Sequence, residues 1–138
     1  KKLYLNNLGK VDPDFFVVHA KHAAQSSGEK EDNSVYPECV EAARGIPVIA
    51  NGGIEAPEMV QSLMKMGVGG VMMGRPALGN PAIFNCLKNE LGVNDPLRPV
   101  PTTDDLRREY DEIFEAIGGS EKYRQRLLKA VGKTRTHY

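Results

Sequence analysis

Three short apolar runs, each stopping at a polar or glycine cluster, set the limits on this chain. They are Phe15 to Val18 before His19, Ile46 to Ala50 before Asn51-Gly52-Gly53, and Val71 to Met73 before Gly74-Arg75. Each is too short for a buried helix, and the first two are rich in aromatic or β-branched residues, so all three read as buried strands. Helical patterns separate them. Tyr36-Pro37 opens a helix that Gly45 closes, with Val40 and Ala43 facing inward, and Ala56-Pro57-Glu58 opens the next, whose apolar stripe is Met59, Val60, Leu63 and Met64. Asn80-Pro81 starts a third, carrying Phe84, Leu87 and Leu91 before Gly92. Strand and helix thus alternate with short connections, the pattern of an α/β fold with parallel strands and right-handed crossovers. With 41% hydrophobic residues in 138, the chain can bury one core.

Past Gly92 the character changes. Pro96, Pro99 and Pro101 make a stiff linker, and Thr102-Thr103-Asp104-Asp105 is a helix start followed by Leu106, Tyr110, Ile113, Phe114 and Ile117 at helical spacing. A last helix begins near Ser120 and ends at Gly132. On it Lys122, Arg126, Lys129 and Lys133 fall on one stripe, Tyr123, Leu127, Ala130 and Val131 face away, and Arg124 breaks the pattern. The division expected is 1–95 and 96–138. The formal net charge of zero excludes a globally basic nucleic-acid binder, yet it hides a local asymmetry. Asp104 to Glu121 holds seven acids against Arg107 and Arg108, whereas Lys122 to Tyr138 holds six Lys or Arg and no acid.

Cys39 and Cys86 are too few and too isolated for a disulfide framework or a zinc cluster, and both are expected as small buried hydrophobes on helices. No window approaches the roughly 18 apolar residues of a membrane span, and the amino end lacks a signal-peptide pattern, so a cytoplasmic location is expected. The chain opens on Lys1-Lys2 without a methionine, as expected of a trimmed or excerpted product.

Asn51-Gly52-Gly53 follows a strand and precedes a helix, where two residues without a Cβ let backbone N–H groups approach an anion. Gly74-Arg75 repeats the arrangement after the next strand and adds a guanidinium whose fork matches phosphate oxygens. Each cluster alone reads better as a tight strand-to-helix turn, but on consecutive units, both at carboxyl ends and one with Arg75, they describe a shared phosphate cradle. His19 would point into the same mouth, where an imidazole N–H can bond a cofactor oxygen. His19 and His22 have no carboxylate or cysteine at metal-ligand spacing, so no metal site is assigned. No nucleophile with an adjacent base can be named, and no carboxylate pair sits at a strand end.

The segments Phe16 to Lys21, Ile46 to Ile54 and, most specifically, Gly70 to Phe84 resemble the tRNA-dihydrouridine synthases, and the likeness covers roughly residues 15 to 91. The resemblance implies a TIM barrel that holds FMN. NADPH reduces the FMN, which then reduces a uridine C5–C6 double bond in tRNA, and a smaller helical domain grips the RNA. It implies that His19 touches FMN, that Asn51, Gly52 and Gly53 form the loop near the flavin phosphate, and that Gly74 and Arg75 form the last-strand phosphate clamp. Lys21 stands where the family usually has an arginine facing RNA, Gly53 where aspartate is common, and Ala82 where tryptophan is usual.

The fold expected from the resemblance is a partial (β/α)8 barrel, about its last three units, followed by a small helical appendage that binds tRNA through Lys122, Arg126, Lys129 and Lys133. Neither cysteine matches the family's catalytic cysteine, so no catalytic residue is assigned within the chain, and this fragment alone is expected to be inactive. Open edges at the first and last strands would pair with another copy or with the missing barrel portion. Two other readings stay open: an FMN barrel reductase of the old-yellow-enzyme or dihydroorotate dehydrogenase type, which gives no reason for the basic helix, and a non-catalytic phosphate- or RNA-binding half-barrel.

Overall fold

A computed structural model describes residues 2–22, 24–25, 29–93 and 96–131. It divides into two compact units, one of Lys1–Ile54 with Glu58–Met73 and one of Glu55–Pro57 with Gly74–Tyr138.

The first unit is built on a parallel three-stranded sheet, β1 (Phe16–His19), β2 (Val48–Asn51) and β3 (Gly70–Met72), in the order β1-β2-β3. The helices are α1 (Lys2–Leu8), α2 (Tyr36–Ala43) and α3 (Pro57–Lys65). The alternation of strand and helix is as the sequence pattern requires. The first two strands run one residue further than expected, taking in His19 and Asn51, because ladder hydrogen bonds are made by the backbone whatever the side chain. The segment before Asp12, for which the pattern gave no element, forms α1 and a 3₁₀ turn at Gly9–Val11. Leu5 is buried, and Lys2 of α1 lies 3.6 Å from Glu38 of α2.

Cα register pairs Phe16 with Val48, Val18 with Ala50 and His19 with Asn51 between β1 and β2, and Ala50 with Val71 and Asn51 with Met72 between β2 and β3. Side chains alternate along strands, so Phe16, Val18, Val48 and Ala50 share one face and Val17, His19, Ile49, Asn51 and Met72 the other. The first face is the core: those four residues are all buried, and α2 packs on β2. The second face is open, with Val17 47% and Met72 49% exposed. His19 and Asn51 lie on that open face at the carboxyl ends of their strands.

The buried stripes of α2 and α3 differ from those their sequences suggest. On α2 the inward residues are Tyr36, Cys39, Ala42 and Ala43, while Val40 is half-buried. Arg44, with φ 52°, makes the left-handed cap expected of Gly45. On α3 Val60 and Leu63 are buried, Met59 is half-buried and Met64 is exposed. A fully buried leucine such as Leu63 contributes about 1.5–3 kcal/mol relative to an exposed one.

The second unit is helical: α4 (Arg75–Gly79), α5 (Ile83–Glu90), α6 (Thr103–Ile117) and α7 (Glu121–Ala130). Its buried residues include Ile83, Cys86, Leu87, Leu106 and Val131, whereas Phe84, expected inside, is 41% exposed. Ile113 and Ile117 are also exposed despite their helical spacing. Thr102 and Asp105 form a capping box at the start of α6, each side chain accepting from the other's backbone N–H. The proline-rich connection is tied down rather than free: Asn89 donates to Arg98 O at 2.8 Å and accepts from Arg98 N–H at 3.0 Å. Tyr110 of α6 donates to Leu78 O of α4 at 3.1 Å. Among the described residues no helix is long and apolar enough to cross a membrane.

Candidate functional site

The carboxyl ends of β1 and β2 are held together by one phenol. Tyr36, the first residue of α2, is 1% exposed, and its O–H reaches Val18 O at 3.0 Å, with Asn51 O at 3.3 Å as the alternative acceptor. Asn51 N–H donates to the same phenolic oxygen at 3.1 Å. The backbone at the last residues of both strands is therefore satisfied by a side chain from the helix that connects them. Burial pushes the Tyr36 phenol up from its ordinary value, so it stays a neutral donor at physiological pH.

Beside this staple lies a carboxylate from the charged run Glu29-Lys30-Glu31-Asp32 between β1 and α2. Glu31 has a side chain only 15% exposed, and its Oε1 lies 3.7 Å from His19 Nε2 and 3.5 Å from Lys21 Nζ. Burial pushes the Glu31 carboxyl up, but its own backbone N–H, the Lys21 charge and the His19 ring outweigh that and hold it below the usual glutamate value. The folded form is thus the stronger acid, so its contribution to stability is complete above the ordinary carboxylate range and fades as pH falls through the depressed value.

Lys21, expected to face RNA, has a side chain only 9% exposed. Its ammonium is neutralised within the site because the loop folds Glu31 back over it. His19 is half-exposed, at 49% of its side chain.

Gly52 and Gly53 have φ of 106° and 61°. A Cβ on Gly52 would lie 2.4 Å from His19 Nε2, and one on Gly53 would lie 2.5 Å from Glu31 Oε2. The room that the two glycines leave is filled by the imidazole and the carboxylate.

Gly74 and Arg75 belong to the other compact unit. Gly74 caps α4 at an ordinary φ of −102°, and a Cβ there would meet open space. Arg75 is exposed. On α7 Lys122, Arg126 and Lys129 are all exposed, while Lys133 lies outside the described residues. The Arg126 guanidinium stands 6.0 Å from the centroid of the Tyr123 ring. Tyr123 is 60% exposed instead of facing inward, so the basic stripe carries an aromatic surface. Arg124, off the stripe, donates through Nε to Asp111 of α6 at 2.8 Å. Both cysteines are buried, on α2 and α5, and neither is in a disulfide. Among the described residues no cluster of three or more His, Cys, Asp or Glu could hold a metal ion.

A family model described as dihydrouridine synthase (Dus) matches residues 10–135. The chain belongs to the dihydrouridine synthase family. Among its relatives is the tRNA-dihydrouridine synthase B of Vibrio cholerae serotype O1, 38% identical over 87 residues, which cover 61% of this chain and 26% of that protein. The Pseudomonas aeruginosa protein of the same name is 32% identical over 119 residues, covering 83% and 35%. The Escherichia coli K12 protein is 30% identical over 112 residues, covering 78% and 34%. The chain therefore spans about a quarter to a third of the length of these dihydrouridine synthases, and it belongs to an enzyme family.

Sequence reasoning missed Glu31 and the hydroxyl of Tyr36. Glu31 sits in the run Glu29-Lys30-Glu31-Asp32, where nothing marks one acid as buried, and Tyr36 reads only as a helix opener.

Proposed function

We propose that the chain is the carboxyl-terminal portion of a cytoplasmic, flavin-dependent tRNA-dihydrouridine synthase that reduces uridine to dihydrouridine in tRNA with FMN and NADPH. Residues 1–95 would be the last three units of a (β/α)8 barrel and 96–138 the helical tRNA-binding appendage. What carries the reading is the placement of His19 and Asn51 as Cα partners at the carboxyl ends of adjacent parallel strands, in a segment matched by the family model. Sites on such folds lie at those ends.

The donor set suits the cofactor. His19, the Asn51 amide, the backbone around Gly52 and Gly53, and the Arg75 guanidinium are hydrogen-bond donors, as an oxygen-rich anionic group requires. The flavin, when bound, supplies the hydride that reduces the uridine double bond. Glu31 refines the division of roles. A carboxylate against Gly53 repels an anion but accepts from hydroxyl and N–H groups, so His19 and Asn51 suit the uncharged part of a flavin. We assign no catalytic residue among these, because neither Cys39 nor Cys86 matches the family's catalytic cysteine. β1 and β3 are the edges of the sheet, where the missing barrel portion or a second copy would pair.

Flavin titration of the protein containing this chain tests the reading. Arg75→Ala is expected to weaken FMN roughly tenfold or more, the worth of a lost charged hydrogen bond, while leaving riboflavin within about twofold. An intact protein that binds no flavin ends the enzyme reading and leaves the half-barrel binding module.

The RNA arm is α7. Arg126 and Lys129 are exposed on one stripe, and Arg126 lies near the exposed Tyr123 ring, an arrangement suited to phosphates and to a stacked base. Charge reversal of both, Arg126→Glu with Lys129→Glu, is expected to weaken tRNA binding by at least tenfold and to flatten its log–log salt slope by roughly 2. Filter binding across a salt series reads both, and unchanged affinity removes the assignment.

A further inference from the structure

We propose that Glu31 is a positioning residue of the site, fixing the orientation and tautomer of His19 and holding the Lys21 ammonium beside it. The inference deepens the flavin reading and rests on it for its consequence, though not for its test.

Four observations place the carboxylate there. Asp32 N–H donates to Ala20 O at 2.9 Å, which brings the far end of the β1–α2 connection back to the end of β1. The Asp32 side chain then accepts from Ser34 N–H at 3.1 Å and from Ser34 O–H at 2.6 Å, fixing the entry to α2. Glu31, between these anchors, has little freedom to leave. Its Oε1 is shared by His19 Nε2 at 3.7 Å and Lys21 Nζ at 3.5 Å, and its Oε2 occupies the space over Gly53. Finally, the absent Cβ of Gly52 leaves room for the His19 ring edge itself. A side chain at position 52 or 53 would displace a member of the group.

The chemistry follows from the charges. A neutral imidazole beside a carboxylate keeps its N–H directed at the negative charge, so Nε2 carries the proton and Nδ1 is left as an acceptor. His19 is then held as one tautomer in one ring orientation. Lys21 on the same oxygen balances the carboxylate and is withdrawn from solvent. The pair of neighbours thus presents one oriented imidazole and little net charge at the end of β1.

The test uses the full chain, without flavin or RNA, labelled with ring-15N histidine. His22→Gln and His19→Gln spectra assign the signals, which is needed because His22 Nδ1 accepts from Ala24 N–H at 3.3 Å and so shares the tautomer. At neutral pH wild type is expected to show His19 protonated at Nε2, with the opposite tautomer at least fivefold less populated. Glu31→Gln, close in size but uncharged, should lower that preference toward the weaker Nε2–H preference of a free imidazole, and Glu31→Asp should restore part of the difference. A His19 ring protonated at Nδ1 in wild type overturns the proposal, as does a Glu31→Gln spectrum identical to wild type with matched circular dichroism. Should Glu31→Gln fail to fold, Lys21→Met serves: the preference must survive it, since the carboxylate remains, and its loss sinks the idea. Titrating the same samples with FMN separates the two readings, because an oriented ring that takes no flavin removes the flavin role alone.

Discussion

Tyr36→Phe is expected to destabilise the chain by about 1–3 kcal/mol, the cost of leaving buried backbone groups unsatisfied while volume hardly changes. The lost hydroxyl is the partner of Asn51 N–H and Val18 O, both at the ends of strands where the ladder stops. A urea melt should show a lower midpoint with an unchanged slope, because the folded state remains compact. Hydrogen exchange should localise the effect: the Asn51 amide should lose protection before amides in the middle of β2. Tyr36→Ala adds a cavity, and its total cost should rise to about 3–5 kcal/mol. Equal stability of Tyr36→Phe and wild type would show that water replaces the phenol, and the staple would lose its importance.

Gly52→Ala is expected to act on both fold and site. A φ of 106° costs an L residue about 1–3 kcal/mol. The new Cβ also falls 2.4 Å from His19 Nε2. Because the His19 side chain is half-exposed, the ring can swing aside, so the chain should still fold but with the imidazole displaced from Glu31. Gly45→Ala supplies the control. It has a similar φ of 94° with nothing within 4 Å of the new Cβ, so it should show the backbone cost without the change at His19. In the flavin reading, Gly52→Ala lowers flavin affinity about tenfold or more, and Gly45→Ala leaves it within about twofold, both read by fluorescence quenching. Equal flavin affinity in the two variants would remove His19 from the site.

Much of the fold could be read from residue types because the signals are local. The apolar runs ending at His19 and Asn51 became β1 and β2, and Thr102 with Asp105 formed the cap that their spacing implies. The misreadings also have local causes. Met64, Phe84 and Ile113 sit at helical spacing yet are exposed, since periodicity says which residues share a face and not how wide a face the neighbours cover. The prolines from 96 to 101 read as a stiff linker, and the side chains of Asn85 and Asn89 tie it to α5. In the site, His19 and Asn51 were marked by their position after apolar runs. Lys21 was expected to face RNA because it stands where the family usually has an arginine, and the carboxylate that withdraws it lies in a stretch of four charged residues.

The alternation of β1, α2, β2, α3 and β3 and the helical spacing of α6 and α7 were legible in the sequence, because each signal lies within residues a few positions apart. Tertiary structure decided which charges meet. A loop of polar residues has no preferred path of its own, and a single backbone bond from Asp32 to Ala20 chooses one that brings Glu31 to His19 and Lys21. The same closure gives Gly52 and Gly53 their meaning, as the places where a side chain would collide with that group.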